Sequence, residues 1–432
     1  MLSEQSAATV RATLPVVAAA IGEITERFYE RLFEAHPELL RDLFNRGNQA
    51  AGTQRQALAG SIAAFAVHLV EHPDERPDVM LSRIAHKHAS LGVSADQYET
   101  VHRHLFAAIA EVLGDAVTPE VAAAWNDVYW LMANALIAIE ARLYAEQGVT
   151  AGDGTWREWK VVERVEETDD VATFRLRPVD GAPVPGFRAG QYVSVQVQLD
   201  DGARQIRQYS LSGGVGAAAM ADGFGSDVRQ ISVKRVPAGA GVGAGSGAGA
   251  GAGAGVPEGE VSNHLHARVR EGDVLRVSPP YGDLVLDEAD GADGNDGGVP
   301  LLLASAGIGV TPMIAMLEQL AAGGHRAPVT VVHADRSPAE HALRADHETY
   351  TAKLPDGTAY FFYERPDAGH PSELTGLVDL AAVPSVAPGT RAYLCGPLPF
   401  MRTVRTQLIE RGVAAADIHY EVFGPDLWLA QG

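Results

Sequence analysis

The apolar residues of this 432-residue chain change their period across Gly148–Gly154, and that change restricts what it can fold into. Before the break, Ile24, Phe28 and Leu32 recur every four residues, and Leu58, Ile62, Phe65 and Leu69 every three or four. That is the spacing of one helix face. After it, Val193, Val195, Val197 and Leu199 alternate, as on a strand. Length alone suggests about three domains.

Residues 1–148 are rich in Ala and poor in strand signals. Pro37 marks a boundary after the first stripe, and Thr53 with Gln56 reads as a capping-box start. Leu81, Ile84 and His88 share a further face, which Gly92 ends. Ser94 with Gln97 opens the next helix, and Thr118-Pro119 the last, with Trp125, Val128, Met132, Ile139 and Leu143 inward. An all-α bundle or globin is expected. His68 and His72, four apart, could share a metal or form a solvated pair beside Pro73. His86 and His88 point to different sides of their helix, and only His88 continues the apolar row. Such a histidine is either a satisfied core residue or an axial ligand facing an apolar pocket.

Charge and cysteine content exclude several classes. The net charge is -21, with no basic stripe for nucleic acid and no polybasic segment for an anionic bilayer. Cys395 is the single cysteine, so no internal disulfide framework exists and a reducing compartment is expected. The N-terminus lacks signal-peptide character, and the apolar runs are interrupted short of a membrane span. A soluble cytoplasmic protein without membrane insertion is therefore expected.

Beyond the small, polar linker at 148–154, short strands are expected at Trp159–Val165, Val171–Arg177, Gln191–Leu199, Ile206–Leu211 and Arg229–Val236, a small antiparallel barrel. One of them carries Arg207, Gln208, Tyr209 and Ser210. An aromatic face can cover a flat redox ring, and an Arg fork with a Ser hydroxyl can hold a pyrophosphate. Residues 238–255 are almost pure Gly and Ala and read as a flexible insertion lengthening a hairpin. Gly213–Asp227 reads as a loop, and Gly291–Gly298 as a separator.

The last segment reads as α/β. Val299–Ser305 is an apolar strand, followed by Ala306-Gly307-Ile308-Gly309-Val310-Thr311-Pro312-Met313 and a helix to about Ala321. Glycines at such a turn let a dinucleotide approach the backbone and the positive helix end. The pattern lacks the third glycine of the usual fingerprint. Strands are also expected at Val329–Ala334 and Tyr393–Cys395, the latter running into Gly396 and Pro397. Arg336 and Ser337 stand where a 2′-phosphate could sit, or Arg336 is merely solvated.

Taken in order, these motifs resemble those of the flavohemoglobins. Phe28–Phe33, Leu43–Asn45, Asn48-Gln49, Thr53–Leu58 and Ile84–His88 resemble the globin part of that family. The resemblance implies a globin domain at 1–148, with His88 as axial heme ligand and Tyr29 and Gln54 in the distal pocket. It places Leu58 beside the ligand, Phe44 on the heme, Lys87 among the cofactor contacts, and Tyr98 and Glu140 against His88. Arg207–Ser210, with Gly190-Gln-Tyr192 before it, is similar to the flavin site of ferredoxin-reductase-like proteins. It implies an FAD-binding β-barrel at 155–290, with Tyr192 as an adenine or ribose contact or simply a strand aromatic. Val261 and Ser262, within Gly259–Asn263, match a second pyrophosphate segment, where a backbone turn would offer N–H groups. Ser305–Met313 and Cys395-Gly396-Pro397 imply an NAD(P)-binding α/β domain at 299–432, although Cys395 could be only a small buried hydrophobe. The closing segment, Glu421, Val422, Phe423 and Gly424, implies flavin contact, with terminal-strand core as the other reading of Phe423. The family implies a nitric oxide dioxygenase, acting on O2 and nitric oxide without an obligatory protein partner. In it electrons pass from NAD(P)H through FAD to heme, and nitric oxide becomes nitrate. A heme-based gas-binding or sensing protein, or a flavin reductase with a diffusible acceptor, would each use only part of this set.

Overall fold

The computed structural model describes residues 2–75, 77–214, 227–238, 258–286, 298–366, 373–384, 386 and 388–424. The expectations for the insertion (but for residue 238) and the 291–298 separator (but for Gly298), and most of that for the 213–227 loop, lie outside them. The chain divides into two compact units. One holds 1–156 with 198–206 and 424–432; the other holds 157–197 and 207–423.

The first unit is helical. Its helices are α1 (Glu4–Ala35), α2 (Pro37–Asp42), α3 (Arg46–Ala50), α4 (Thr53–Glu71), α5 (Asp78–Leu91), α6 (Ala95–Leu113) and α7 (Pro119–Gln147). Helix α1 buries Val10, Val17, Ile24, Phe28 and Leu32 along one stripe. By length and composition alone it is apolar enough to cross a membrane, which the reading of interrupted runs did not expect. The run between Arg11 and Glu23 is short, but its Ala and Val content raises the mean hydropathy of the whole helix. Pro37 stands at the first position of α2, where its missing N–H costs nothing. Ser94 and Gln97 form the expected capping box, and Thr118 caps α7 from its side chain. The other expected cap is different. Gly52, at φ 71°, is the N-cap of α4, and Thr53 instead donates to the Asn48 carbonyl. A left-handed glycine turns the chain there, so no side-chain cap is needed. The 148–154 segment is not all linker, because Gly152–Thr155 forms a 3-10 turn whose Gly152 N–H donates to the Gly92 carbonyl.

The second unit contains one sheet and most of another. The antiparallel sheet has order β4-β3-β6-β1-β2-β5, with β1 (Arg157–Thr168), β2 (Val171–Pro178), β3 (Tyr192–Gln198), β4 (Arg204–Ser210), β5 (Arg229–Lys234) and β6 (Val274–Val277). The short β6 was not expected from sequence. The alternating strand β3 is buried on both faces: Ser194 and Gln196 are buried as well as Val193, Val195 and Val197. The second sheet is parallel, in the order β10-β9-β8-β7-β11-β12. Its strands are β7 (Leu301–Ala306), β8 (Val329–Asp335), β9 (Gly357–Tyr363), β10 (Glu373–Thr375), β11 (Arg391–Cys395) and β12 (Ile418–Glu421). Helices α8 (Glu260–Arg268), α9 (Val310–Gly323), α10 (Arg344–Lys353) and α11 (Leu398–Glu410) complete the described helices. One apolar core joins the two sheets: Ala189, Leu284 and Leu286 pack with Leu301, Met313, Met316 and Tyr393. Helical, antiparallel-sheet and parallel-sheet parts thus follow one another along the chain.

Gly92 ends the helix that carries His88 at φ +79°, and a Cβ there would sit 3.0 Å from the Gly152 carbonyl. Gly92→Ala should destabilise the first unit by about 1–2 kcal/mol, the cost of a left-handed non-glycine residue. Gly22, inside α1 with nothing within 4 Å of its Cβ position, is the contrasting case. Gly22→Ala should stabilise by about 0.5–1 kcal/mol. Urea titrations followed by helical circular dichroism would check both signs.

Candidate functional site

In the first unit, three helices converge on one imidazole. His88 lies near the end of α5, Tyr98 opens α6 just after its capping box, and Glu140 comes from α7. His88 Nδ1 is 2.9 Å from both Tyr98 Oη and Glu140 Oε1. Tyr98 donates its hydroxyl to Glu140 Oε1 at 2.6 Å. Glu140 is 2% exposed. Burial, and then the Glu140 charge, push the Tyr98 pKa well up, so it remains a donor. With that proton committed to Glu140, Nδ1 of His88 must carry the ring proton, and Nε2 is left with its lone pair. His68 lies against His72 and hydrogen-bonds the Glu75 carbonyl through Nε2 at 2.9 Å, the bland reading of that pair.

A second cluster surrounds Tyr29 on α1. Its ring, 5% exposed, stacks on Phe33 and meets the edge of Phe44 at 5.9 Å. Burial pushes the hydroxyl pKa well up, opposed by the amides of Gln54 and then Gln49. Gln49 Nε2 is buried and, among the described residues, makes no hydrogen bond of normal geometry, although its amide is near enough to the Tyr29 hydroxyl to favour its ionised form. Sequence reasoning named Gln54 and Leu58, one turn apart on α4, but did not assign Gln49; its place in the Asn48-Gln49 pair was the only signal. Gln205, buried in this unit, was also passed over. Its amide donates to the carbonyls of Leu40, Arg41 and Phe44, holding the segment that carries Phe44. Lys87 Nζ donates to the Gly424 carbonyl at 2.7 Å.

In the second unit, Arg207–Ser210 form the end of β4. Gln208 donates to Ser194 Oγ at 3.0 Å, and Arg207 lies 3.9 Å from Glu260. Tyr209 is partly exposed, and burial still raises its pKa well above the ordinary value. Ser210 Oγ is buried without a partner. Val261 and Ser262 do not sit on a turn, as expected, but in the first turn of α8 after its N-cap Gly259. The correction keeps the chemistry, since first-turn N–H groups have no acceptor within the helix and favour anions. Tyr192 is 7% exposed and packs on Gly282, so its ring belongs to the barrel wall.

The parallel sheet brings the remaining motifs together. In the order β8-β7-β11, chain connectivity reverses between β7 and β11, the switch point where open α/β sheets bind ligands. Gly307–Gly309 form a 3-10 turn at the end of β7 that leads into α9, with Val310, Thr311 and Pro312 buried in its first turn. Ile308 is half-buried and accepts from Thr311 Oγ1 through its carbonyl. Cys395, Gly396 and Pro397 end β11, with Cys395 paired to Ser305 in register. A Cβ on Gly309 would come within 2.2 Å of the Cys395 carbonyl oxygen, so the two motifs touch through backbone. Burial, then Glu421, push the Cys395 thiol well up, so it is an unreactive core group at the motif. Glu421 is buried beside it on β12; Val422 is half-buried and Phe423 is 39% exposed. Arg336 is not merely solvated: it pairs with Glu340 at 2.6 Å.

Comparison with known families agrees with this geometry. Residues 26–136 match the globin family, 158–286 the oxidoreductase FAD-binding domain, and 303–406 the oxidoreductase NAD-binding domain. The chain is 42% identical to the flavohemoprotein of Bordetella pertussis over 98% of its own length and 99% of the relative's. The chain belongs to the flavohemoprotein family. The Bacillus subtilis flavohemoprotein is 35% identical, with both chains fully covered. Among solved structures, the flavohemoglobin of Malassezia yamatoensis with bound FAD and heme superposes with a TM-score of 0.83. It is 36% identical, with 98% of this chain and 100% of that one covered. The FAD/NAD-binding domain of nitric oxide dioxygenase from Vibrio cholerae O1 biovar El Tor gives 0.51 at 33% identity, covering 62% of this chain and 99% of that one.

The flavohemoproteins carry heme and FAD and bind a nicotinamide dinucleotide, and the donors present here fit all three. His88 Nε2 offers the lone pair an axial iron ligand needs. The unpartnered Ser210 hydroxyl, Arg207 and the α8 N-terminus suit a pyrophosphate. The glycine turn at the β7–β11 switch point suits a dinucleotide.

His88→Ala should remove heme while leaving NADH-to-ferricyanide reduction intact, and His86→Ala should keep it. Soret absorbance and iron content decide between the two histidines. Gly309→Ala should cut hydride transfer from NADH more than about ten-fold, the factor that about 1.4 kcal/mol of misplacement already produces. FAD content, measured on the same sample, should not change.

Proposed function

We propose that this oxidoreductase is an NAD(P)H-dependent nitric oxide dioxygenase, converting nitric oxide and O2 to nitrate. The observation that carries the reading is the buried Glu140 carboxylate against His88 Nδ1. Such a partner raises the basicity of the other ring nitrogen, which favours oxygen activation over oxygen carriage. The reductase half in the same chain, and its likeness to the Vibrio cholerae nitric oxide dioxygenase domain, support the same reading. When bound, the heme supplies the iron at which the two gases react, and the FAD splits the two-electron hydride of NAD(P)H into single electrons.

The chain's own groups do the rest. His88 would hold the iron, with Tyr98 and Glu140 fixing the tautomer and orientation of its ring. Tyr29, with Gln54 and Gln49 beside it, is a protonated donor for a polarised gas ligand. Its aromatic neighbours Phe33 and Phe44 keep that donor out of water, where it acts more strongly. Arg207 and Ser210 would hold the phosphates of FAD, and the Gly307–Gly309 turn would admit the dinucleotide. Cys395 gives this reading a reducing compartment, the cytoplasm, as its setting.

Steady-state NADH oxidation with and without nitric oxide, with nitrate quantified, tests the proposal. Nitric oxide should accelerate NADH oxidation and appear as nitrate. Indifference to nitric oxide would leave a flavin reductase, and gas binding without turnover a sensor. Tyr29→Phe keeps the ring and removes only the donor, worth about 0.5–1.5 kcal/mol. O2 should then dissociate roughly two- to twelve-fold faster, while CO, a less polarised ligand, should respond less. Equal changes for both gases in stopped-flow dissociation would show that Tyr29 acts through shape.

A further inference from the structure

A group of histidines outside the site above is buried in the parallel-sheet half. His333 lies on β8, His341 just after the 3-10 turn Pro338–Glu340, and His347 on α10. Their exposures are 0%, 4% and 0%. One nitrogen of each lies within 4.8 Å of one nitrogen of both others. The rings of His333 and His341 stack at 3.8 Å, and His341 Nε2 is 3.0 Å from His347 Nδ1.

The outer contacts matter most. Ser305 Oγ holds His333 Nδ1 at 2.8 Å, and the Tyr363 hydroxyl holds His341 Nδ1 at 2.7 Å. Those two contacts direct His333 Nε2 and His341 Nε2 to other partners. Among the described residues, His333 Nε2 has no hydrogen bond although it is buried. A histidine core held only by hydrogen bonds would be expected to satisfy such atoms, because an orphaned buried polar atom carries its full desolvation penalty. Asp335, its side chain 1% exposed, brings Oδ2 to 3.7 Å from His333 Nε2.

We propose that His333, His341 and His347, with Asp335, form a binding site for a single divalent transition-metal ion of the zinc class, separate from the heme iron. Three imidazoles and one carboxylate are ligands that such an ion takes. Tetrahedral coordination at about 2.0–2.2 Å separates ligand atoms by roughly 3.3–3.6 Å. The 3.0 Å between His341 and His347 and the 3.7 Å between His333 and Asp335 lie on either side of that range; the three imidazole nitrogens lie within 4.8 Å of one another, so binding would draw them together and bring Asp335 in from the His333 side. Ser305 and Tyr363 occupy the outer positions that fix the tautomer of metal-bound histidines. The ion would be structural, tying β8 to α10. Through Ser305 it would also brace the last turn of β7 before Gly307.

The test uses the full-length holoprotein, dialysed against chelator and titrated with zinc chloride in a calorimeter. Metal content is read by plasma mass spectrometry. A single zinc per chain beyond the heme iron is expected, together with a raised thermal midpoint. His347→Asn should weaken binding at least about ten-fold and abolish the thermal shift. Asp335→Asn, which preserves size, should weaken it in the same direction. The double variant His68→Ala, His72→Ala should leave zinc binding unchanged. Zinc-edge X-ray absorption on the wild-type protein keeps the test independent of variant folding: an imidazole-rich nitrogen and oxygen shell is expected. Failure of the wild-type protein to take up zinc, a shell without imidazole, or binding lost only in the His68/His72 variant would each overturn the proposal.

Discussion

A carboxylate at 2% exposure is costly unless its charge is satisfied, and Glu140 is satisfied by two donors from two other helices. That requirement fixes where α5, α6 and α7 meet. It also fixes the chemistry, because accepting the Tyr98 proton leaves His88 Nδ1 no role but donor. The tautomer of the His88 ring is thus set by the same contact that holds the helices. Removing either donor would leave a buried charge with half its support, so packing and imidazole basicity change together.

The reductase half meets its constraint with backbone. The Gly307–Gly309 turn lies against the carbonyl of Cys395, so Gly309 has no room for a side chain at the contact. The two motifs are far apart in sequence but adjacent because β7 and β11 pair in parallel. A reversal of connectivity between them opens a crevice of the kind in which open α/β sheets bind ligands. The apolar core shared by the antiparallel and parallel sheets then holds the flavin-side and nicotinamide-side motifs on one packed body.

Much of this was legible from residue order. The stripes of α1 and α5, the capping box at Ser94, the glycine stop at Gly92 and the strands bearing Arg207–Ser210 and Cys395 all follow from local rules. The misses have local causes too. Strand β6 is four residues long and gives almost no periodic signal. Strand β3 is buried on both sides, so its alternation described composition and not exposure. Gly52 could start α4 without a side-chain cap because a left-handed glycine can turn the chain where a capping side chain usually does. The Val261–Ser262 segment reads equally well as a turn or a helix start, since both leave N–H groups free.

What the sequence determined by itself is the order of parts and the identity of most groups that do chemistry. Periodicity and turn residues act over a few positions, and motifs such as Arg207–Ser210 are contiguous. What only the tertiary structure decided is which of these groups meet. Glu140 reads as a surface charge on its own helix until Tyr98 and His88 are seen against it. Gln49 and Gln205 are ordinary polar residues until one is found as a buried donor beside Tyr29 and the other hydrogen-bonded to the Phe44 carbonyl. His333, His341 and His347 become a cluster only when β8, the connection after it and α10 fold together. Burial and convergence are properties of packing over long sequence separations, and no local pattern records them.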